Sequence, residues 1–426
     1  MPFCEVVHPT ELLGEQVSRV SGKTAIGVRQ YRYLYLRPDS SLPFYCRPVS
    51  LFVLSWAVML VALSFQISYE SYPDMSLPLL LCAMSVIALL CGYYGNLSFA
   101  DKQSDITPPS HYMVDVKRLR RLNIVMAAVA AVIMLINLKL EGLPPAFGLF
   151  SFDTKVYLEY GRFKQLLFPL LICLVVNSSL DPSRLRKSAM WGFGLLSMLL
   201  YITRGGVLGA LLQTFFVFSM TTKINRRKLL LYAVSMIVML IILADVIGNN
   251  RTTQIGFLHF LEIRSQFWDW PMPALWVISY FSIPLSNLCW IVRTFHFHAP
   301  TLGFLYPAFP AFIAPADPHE AFIFGSSHVI DNVHTYLAPY FMDFSYAGIV
   351  LVNAALGVLC AVVVRRGITK SVLLSAILLG CMADIFFNDN FIPLSTSLQV
   401  CIQWVAQRYI FSSDNGVPVR RSSRAS

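Results

Sequence analysis

Two sets of side chains in this sequence have the types and spacing to do chemistry. The first fills Gly325 to Gly348, GSSHVIDNVHTYLAPYFMDFSYAG, which carries His328, Asp331, Asn332, His334, Thr335, Tyr336 and Asp343 and no lysine or arginine. The second is four arginines, Arg162, Arg204, Arg251 and Arg264, each in a polar stretch between apolar runs. A guanidinium presents a planar fork that matches phosphate oxygens two at a time and stays charged at any relevant pH. Arg204 is the sharpest of the four, because the turn Thr203-Arg204-Gly205-Gly206 is too short to carry its side chain far from the flanking apolar runs. Snorkelling is the plain alternative, since an arginine at a span centre costs on the order of 2.5–3.5 kcal/mol and less near the boundary. Four such arginines with few lysines point to a phosphate or pyrophosphate carried by a lipid.

The elements that must position these groups are membrane spans. Hydrophobic residues make up 56% of the 426 and charged residues 13%, and the mean hydropathy is +0.61. With several continuously apolar runs, this composition excludes an ordinary soluble fold and a β-barrel, whose strands alternate. The expectation is an all-α, polytopic helical bundle, with spans at about 49–68, 77–95, 122–140, 165–179, 188–202, 205–221, 228–247, 274–293, 301–314, 344–364, 370–387 and 393–411. Residues 1–48 read as a cytoplasmic segment without a span or signal peptide, 49–411 as the membrane domain, and 412–426 as a basic, disordered tail. No CxxC or Cys/His spacing occurs among the nine cysteines, so neither a disulfide framework nor a zinc site is expected.

Charge sets the sides. With the N-terminus inside, only Lys139, Lys155, Arg162, Lys164, Arg204, Arg251 and Arg264 of the 33 Lys and Arg fall on external segments. That bias is the positive-inside pattern. The net charge of +10 is therefore topology and not a nucleic-acid signal. The count requires one crossing through the Pro-rich TLGFLYPAFPAFIAPAD, kinked or partly re-entrant, and twelve spans with both ends inside. Segments 141–163, 248–272 and 315–343 become the long external loops.

The order of short motifs resembles the Wzy-type oligosaccharide repeat-unit (O-antigen) polymerases. They are EGLPPAF, Tyr157 to Gly161, the Arg204 turn, Asn249-Asn250-Arg251, Tyr280 to Asn287 and DNVHTYLAPYFMDFSYAG, spread over about 140–365. The chain departs from the family pattern at Tyr160, His334 and Ser345, where phenylalanine, tyrosine and glycine are usual. The resemblance implies a glycosyltransferase of the bacterial inner membrane, open to a GT-C-like arrangement. Such an enzyme transfers a growing glycan from undecaprenyl pyrophosphate onto a lipid-linked repeat unit at the periplasmic face. Its partners would be that donor, the acceptor, membrane lipids and a chain-length regulator protein, with no cofactor.

For such a reaction Arg204, Arg251, Arg264 and Arg162 would stabilise the leaving diphosphate without a metal. Asp343 or Glu159, with His334 and His328 behind them, would serve as general base, and Asn332, Thr335 and Tyr336 would hold the sugar. Each has a plain reading beside it: Asp343 as cap of a helix starting at Phe344, Glu159 as partner of Lys155 or Arg162, Asn332 and Thr335 as turn groups. Asp384, inside the eleventh span, either pairs or orients Asn388-Asp389-Asn390. Three other functions stay open: an O-antigen ligase or related enzyme using Glu70 and Asp74 of the first external loop, a transporter, and a lipid flippase.

Overall fold

The computed structural model describes residues 31–35, 42–99, 111–148, 163–201, 204–221, 258–259, 261–297, 300–310, 319, 334–386 and 391–412, with isolated positions between 227 and 238. Ten helices stand out among them: α1 Pro48–Ser64, α2 Ser76–Phe99, α3 Val116–Glu141, α4 Lys164–Ser178 and α5 Arg184–Leu200. These are followed by α6 Arg204–Thr221, α7 Met272–Thr294, α8 Leu337–Arg366, α9 Val372–Ala383 and α10 Leu394–Ile410. Four of them, α2, α3, α7 and α8, are long and apolar enough to cross a membrane, and α1, α4, α6 and α9 are shorter apolar helices. Their surfaces fit that reading. α1 buries Phe52, Trp56, Met59 and Leu63 while exposing Val53, Leu54, Val58 and Val61, so apolar groups line both faces, as a helix flanked by lipid and protein requires.

The described residues are mostly helical, as an all-α bundle requires, and one end of the bundle is closed by a small antiparallel sheet. Strand β1, Tyr31–Tyr35, pairs with β2, His111–Asp115, which pairs with β3, Phe411–Ser412. The Asp115 carboxylate caps α3 by accepting from the Lys117 and Arg118 N–H groups at 3.0 and 3.1 Å, a carboxylate at the positive end of a helix. Arg120 meets Asp181 at 3.4 Å, and the Gln407 side chain donates to the Lys370 carbonyl at 2.8 Å. Every one of these segments was assigned to one side by charge counting, and the structure gathers them at one end.

The opposite end shows how two of the expected spans are held. The segment from Phe65 to Met75, which joins the ends of α1 and α2, runs along α7 for its whole length. Phe65 packs on Trp270 at 6.1 Å, the Tyr72 N–H donates to Ser286 Oγ at 2.8 Å, and Trp290 Nε1 donates to the Glu70 carbonyl at 2.9 Å. Arg293 Nη1 reaches the Tyr72 hydroxyl at 3.5 Å. Both ends of α7, a helix long and apolar enough to cross a membrane, thus contact one interhelical segment. Arg293 therefore sits beside the segment that joins α1 to α2. The stretch read as a ninth span forms a short 3-10 turn, Gly303–Ala308. Thr301 and His319, on either side of it, both touch Asp343, so the chain between them makes no net crossing.

Two further elements are broken in the middle. α8 is interrupted at Ser345, whose φ of 55° and ψ of −147° are outside the helical region. The arms 337–344 and 346–366 fold into a hairpin so tight that a Cβ at Gly348 would overlap the Tyr340 carbonyl. At the base of the hairpin the Tyr336 hydroxyl donates to Asn353 Oδ1. α9 has only 12 residues, about 18 Å at the helical rise. It stops against the middle of α1, where Ser55 Oγ donates to the Met382 carbonyl at 3.0 Å. Asp384 thus follows the helix as its C-cap, in place of the interior position expected. The long arm of α8 packs on α2 through Gly92 and Gly357, where a Cβ would overlap the Ala354 and Leu89 carbonyls.

Candidate functional site

The site grows from Asp343, two residues before the break in α8 at Ser345. It does not cap a helix starting at Phe344, because the helical arm already begins at Leu337. Its carboxylate turns instead to a distant segment. Oδ1 accepts from the Thr301 N–H at 3.0 Å and the Thr301 hydroxyl at 2.7 Å, and Oδ2 accepts from the Phe304 N–H at 2.9 Å. His319 Nε2 lies 3.4 Å from Oδ1 and 3.1 Å from Thr301 Oγ1. Both acid and imidazole are buried. A buried carboxylate is tolerable only with this much donation, and three donors leave it poorly placed to strip a proton from a sugar hydroxyl. Asp343 positions its neighbours. Gly303 completes the arrangement, since a Cβ there would stand 2.6 Å from His319 Nδ1.

Phe304 links this cluster to a groove. Its ring packs on Tyr340 at 5.1 Å and Phe344 at 5.7 Å, and together they form one end of an open, almost wholly apolar groove of about 390 Å³. The groove continues along the long arm of α8 past Leu351 and Ala355 to Leu359, flanked by Phe391 and Ile392. On the long arm the lining runs from Gly348 to Leu359, about 16 Å of helix.

Comparison of the chain with protein-family models, curated proteins and solved structures found no match. The site must be argued from its own geometry.

The expected residues are only partly assembled. Glu159, Arg162, Arg251, His328 and Asn332 lie outside the described residues, and Arg204 is described through its backbone alone, as the first residue of α6. Arg264 donates through Nε to the Ser68 carbonyl at 3.3 Å and sits over the Tyr69 ring at 5.6 Å. It belongs to the first end of α7, whereas Asp343 approaches the other end through the ring contact of His319 with Phe295 at 6.4 Å. A helix of 23 residues separates the two by about 34 Å, so they do not share one cavity. Thr335 and Tyr336 are fully buried at the base of the hairpin. With its hydroxyl on Asn353 and its ring against Phe52 and Phe391, Tyr336 pins the hairpin instead of meeting a sugar. His334, half-buried beside them, has Nδ1 at 3.0 Å from the Thr335 carbonyl.

Three residues not singled out by sequence belong to this end: Thr301, His319 and Arg293. Arg293 is exposed and faces Tyr72 and Asp74. The Ser76 hydroxyl and then the Ser76 N–H, at 2.8 Å, hold the exposed Asp74 carboxyl below its ordinary range, with Arg293 adding a smaller push. The sequence offered one faint signal, the only histidine of the PADPHE stretch in an otherwise apolar, Pro-rich run.

Proposed function

We propose that the chain is a glycosyltransferase of the bacterial inner membrane, a polymerase that joins undecaprenyl-pyrophosphate-linked repeat units into O-antigen or a related surface polysaccharide. The observation that carries the reading is the apolar groove that ends at Phe304, whose N–H is fixed by Asp343. A long hydrocarbon tail lying along 344–359 would deliver its head group to the end of the bundle opposite the sheet, the periplasmic side in this reading. The resemblance in motif order adds to it.

The chemistry then divides by charge. The leaving diphosphate gains negative charge as the glycosidic bond breaks, and fixed guanidinium groups stabilise it without reorganisation. Arg204, Arg251 and Arg162 take this role, and Arg293 replaces Arg264. Asp343 holds the groove wall, and the base for the attacking hydroxyl comes from Glu159, His328 or His334. Arg204→Ala and Arg251→Ala should each abolish long-chain glycan while the protein stays in the membrane. Arg204→Lys should restore it only partly, because the bidentate fork is lost. Single-repeat glycans on the lipid A core should remain, whereas a ligase defect would leave none. Normal chain-length ladders in both alanine variants would sink the reading.

A further inference from the structure

Inside the bundle, one turn from the sheet end, three neutral amides face a contact that has nothing to offer them. Asn123 on α3, Asn177 on α4 and Gln403 on α10 are buried, at 3%, 0% and 0% exposure. Among the described residues, Asn123 Oδ1, both amide atoms of Asn177 and both of Gln403 have no protein hydrogen-bond partner.

Neighbouring contacts fix all three at one level. Met126 of α3 packs with Cys173 and Leu174 of α4, with Ile402 of α10 against them. One turn nearer the sheet, Arg120 of α3 meets Asp181 beyond α4 at 3.4 Å. Asn123 and Asn177 therefore lie between two observed contacts of the same helix pair. Gln403 follows Gln399, whose carbonyl is 4.0 Å from Cys173 Sγ, by one turn toward β3. The next polar groups inward, Gln213 and Gln399, do pair, at 2.7 Å.

We propose that Asn123, Asn177 and Gln403 form a binding site for a small cluster of ordered water inside the bundle. Lipid cannot satisfy an amide, and an amide buried without a partner is costly. Buried waters typically make two to four hydrogen bonds to such groups. The site carries no formal charge, because Asp181 is engaged by Arg120 and by the Ser183 N–H at 2.8 Å; this suits water and not an ion. Arg120, about a quarter exposed, is the door through which the water exchanges. The proposal is independent of the polymerase reading and uses no glycan readout.

Hydroxyl-radical footprinting of the full-length protein in nanodiscs tests it, because bound water generates radicals beside buried side chains. Met126 and Cys173 should be oxidised several-fold faster than Met59 and Met220, which are equally buried in apolar surroundings. Rates as low as those of Met59 would overturn the site. In the variants Asn177→Leu and Gln403→Leu the labelling of Met126 should disappear and the melting temperature should fall. A melting temperature that holds or rises would mean that the amides were dry, and would equally refute the proposal.

Discussion

A buried carboxylate that accepts three hydrogen bonds from a segment about forty residues away acts as a fastener. Asp343→Ala leaves the Thr301 and Phe304 N–H groups without partners, each orphaned donor costing about 1–3 kcal/mol, so the variant should lose on the order of 3 kcal/mol of stability. Gly303→Ala separates the fastener from the fold: it displaces the His319 ring while keeping the carboxylate and its Thr301 and Phe304 bonds. We expect that variant to keep most of its denaturation midpoint but to bind a lipid-tailed fluorescent probe more weakly, because the Phe304 wall is loosened. Unchanged probe binding in Gly303→Ala would uncouple the cluster from the groove. Asp343 itself was visible in the sequence as chemistry beside a membrane. Its partners were not, because Thr301 and His319 precede it by 42 and 24 residues and carry no periodic or turn signal. Tyr336 was misread for a related reason, since a tyrosine in a polar motif looks the same whether its hydroxyl meets a ligand or Asn353.

At the scale of elements, the break at Ser345 governs how α8 is used. A non-glycine residue at φ 55° is strained by roughly 1–3 kcal/mol. Ser345→Gly should therefore raise the melting temperature, by an amount corresponding to about 1 kcal/mol; a lower melting temperature would show that the serine side chain earns its place. Gly357→Ala should act in the opposite sense, prying the long arm from the Leu89 carbonyl. Helix existence was legible: the expected segments 205–221 and 393–411 match α6 and α10 within a residue or two. Direction was not legible for α7. A helix covered by protein on one side and by the Phe65 to Met75 segment on another needs the same apolar composition as one in lipid, and the single charge of Arg293 cannot decide between them.

For the whole molecule, the two ends have different characters. One is tied by a sheet and basic residues, the other by aromatic rings and the crossing helix α7. Cysteines placed at the exposed Tyr69 and Phe297 should react with an impermeant maleimide from the same side, and one at Leu185, 81% exposed, only from the other. In this test Cys91 and Cys401, the exposed native cysteines among those described, are first replaced by serine. Labelling of Tyr69→Cys and Phe297→Cys from opposite sides would make α7 a crossing.

The sheet has a bearing on how the chain is made. β2 is its central strand, and β3 is the last of the three to be synthesised, nearly three hundred residues after β2. Until Phe411 emerges, the β2 edge is open and the helices between are threaded but not drawn together at that end. The pairing of Val114 with Phe411 therefore waits on the synthesis of α10, which immediately precedes β3.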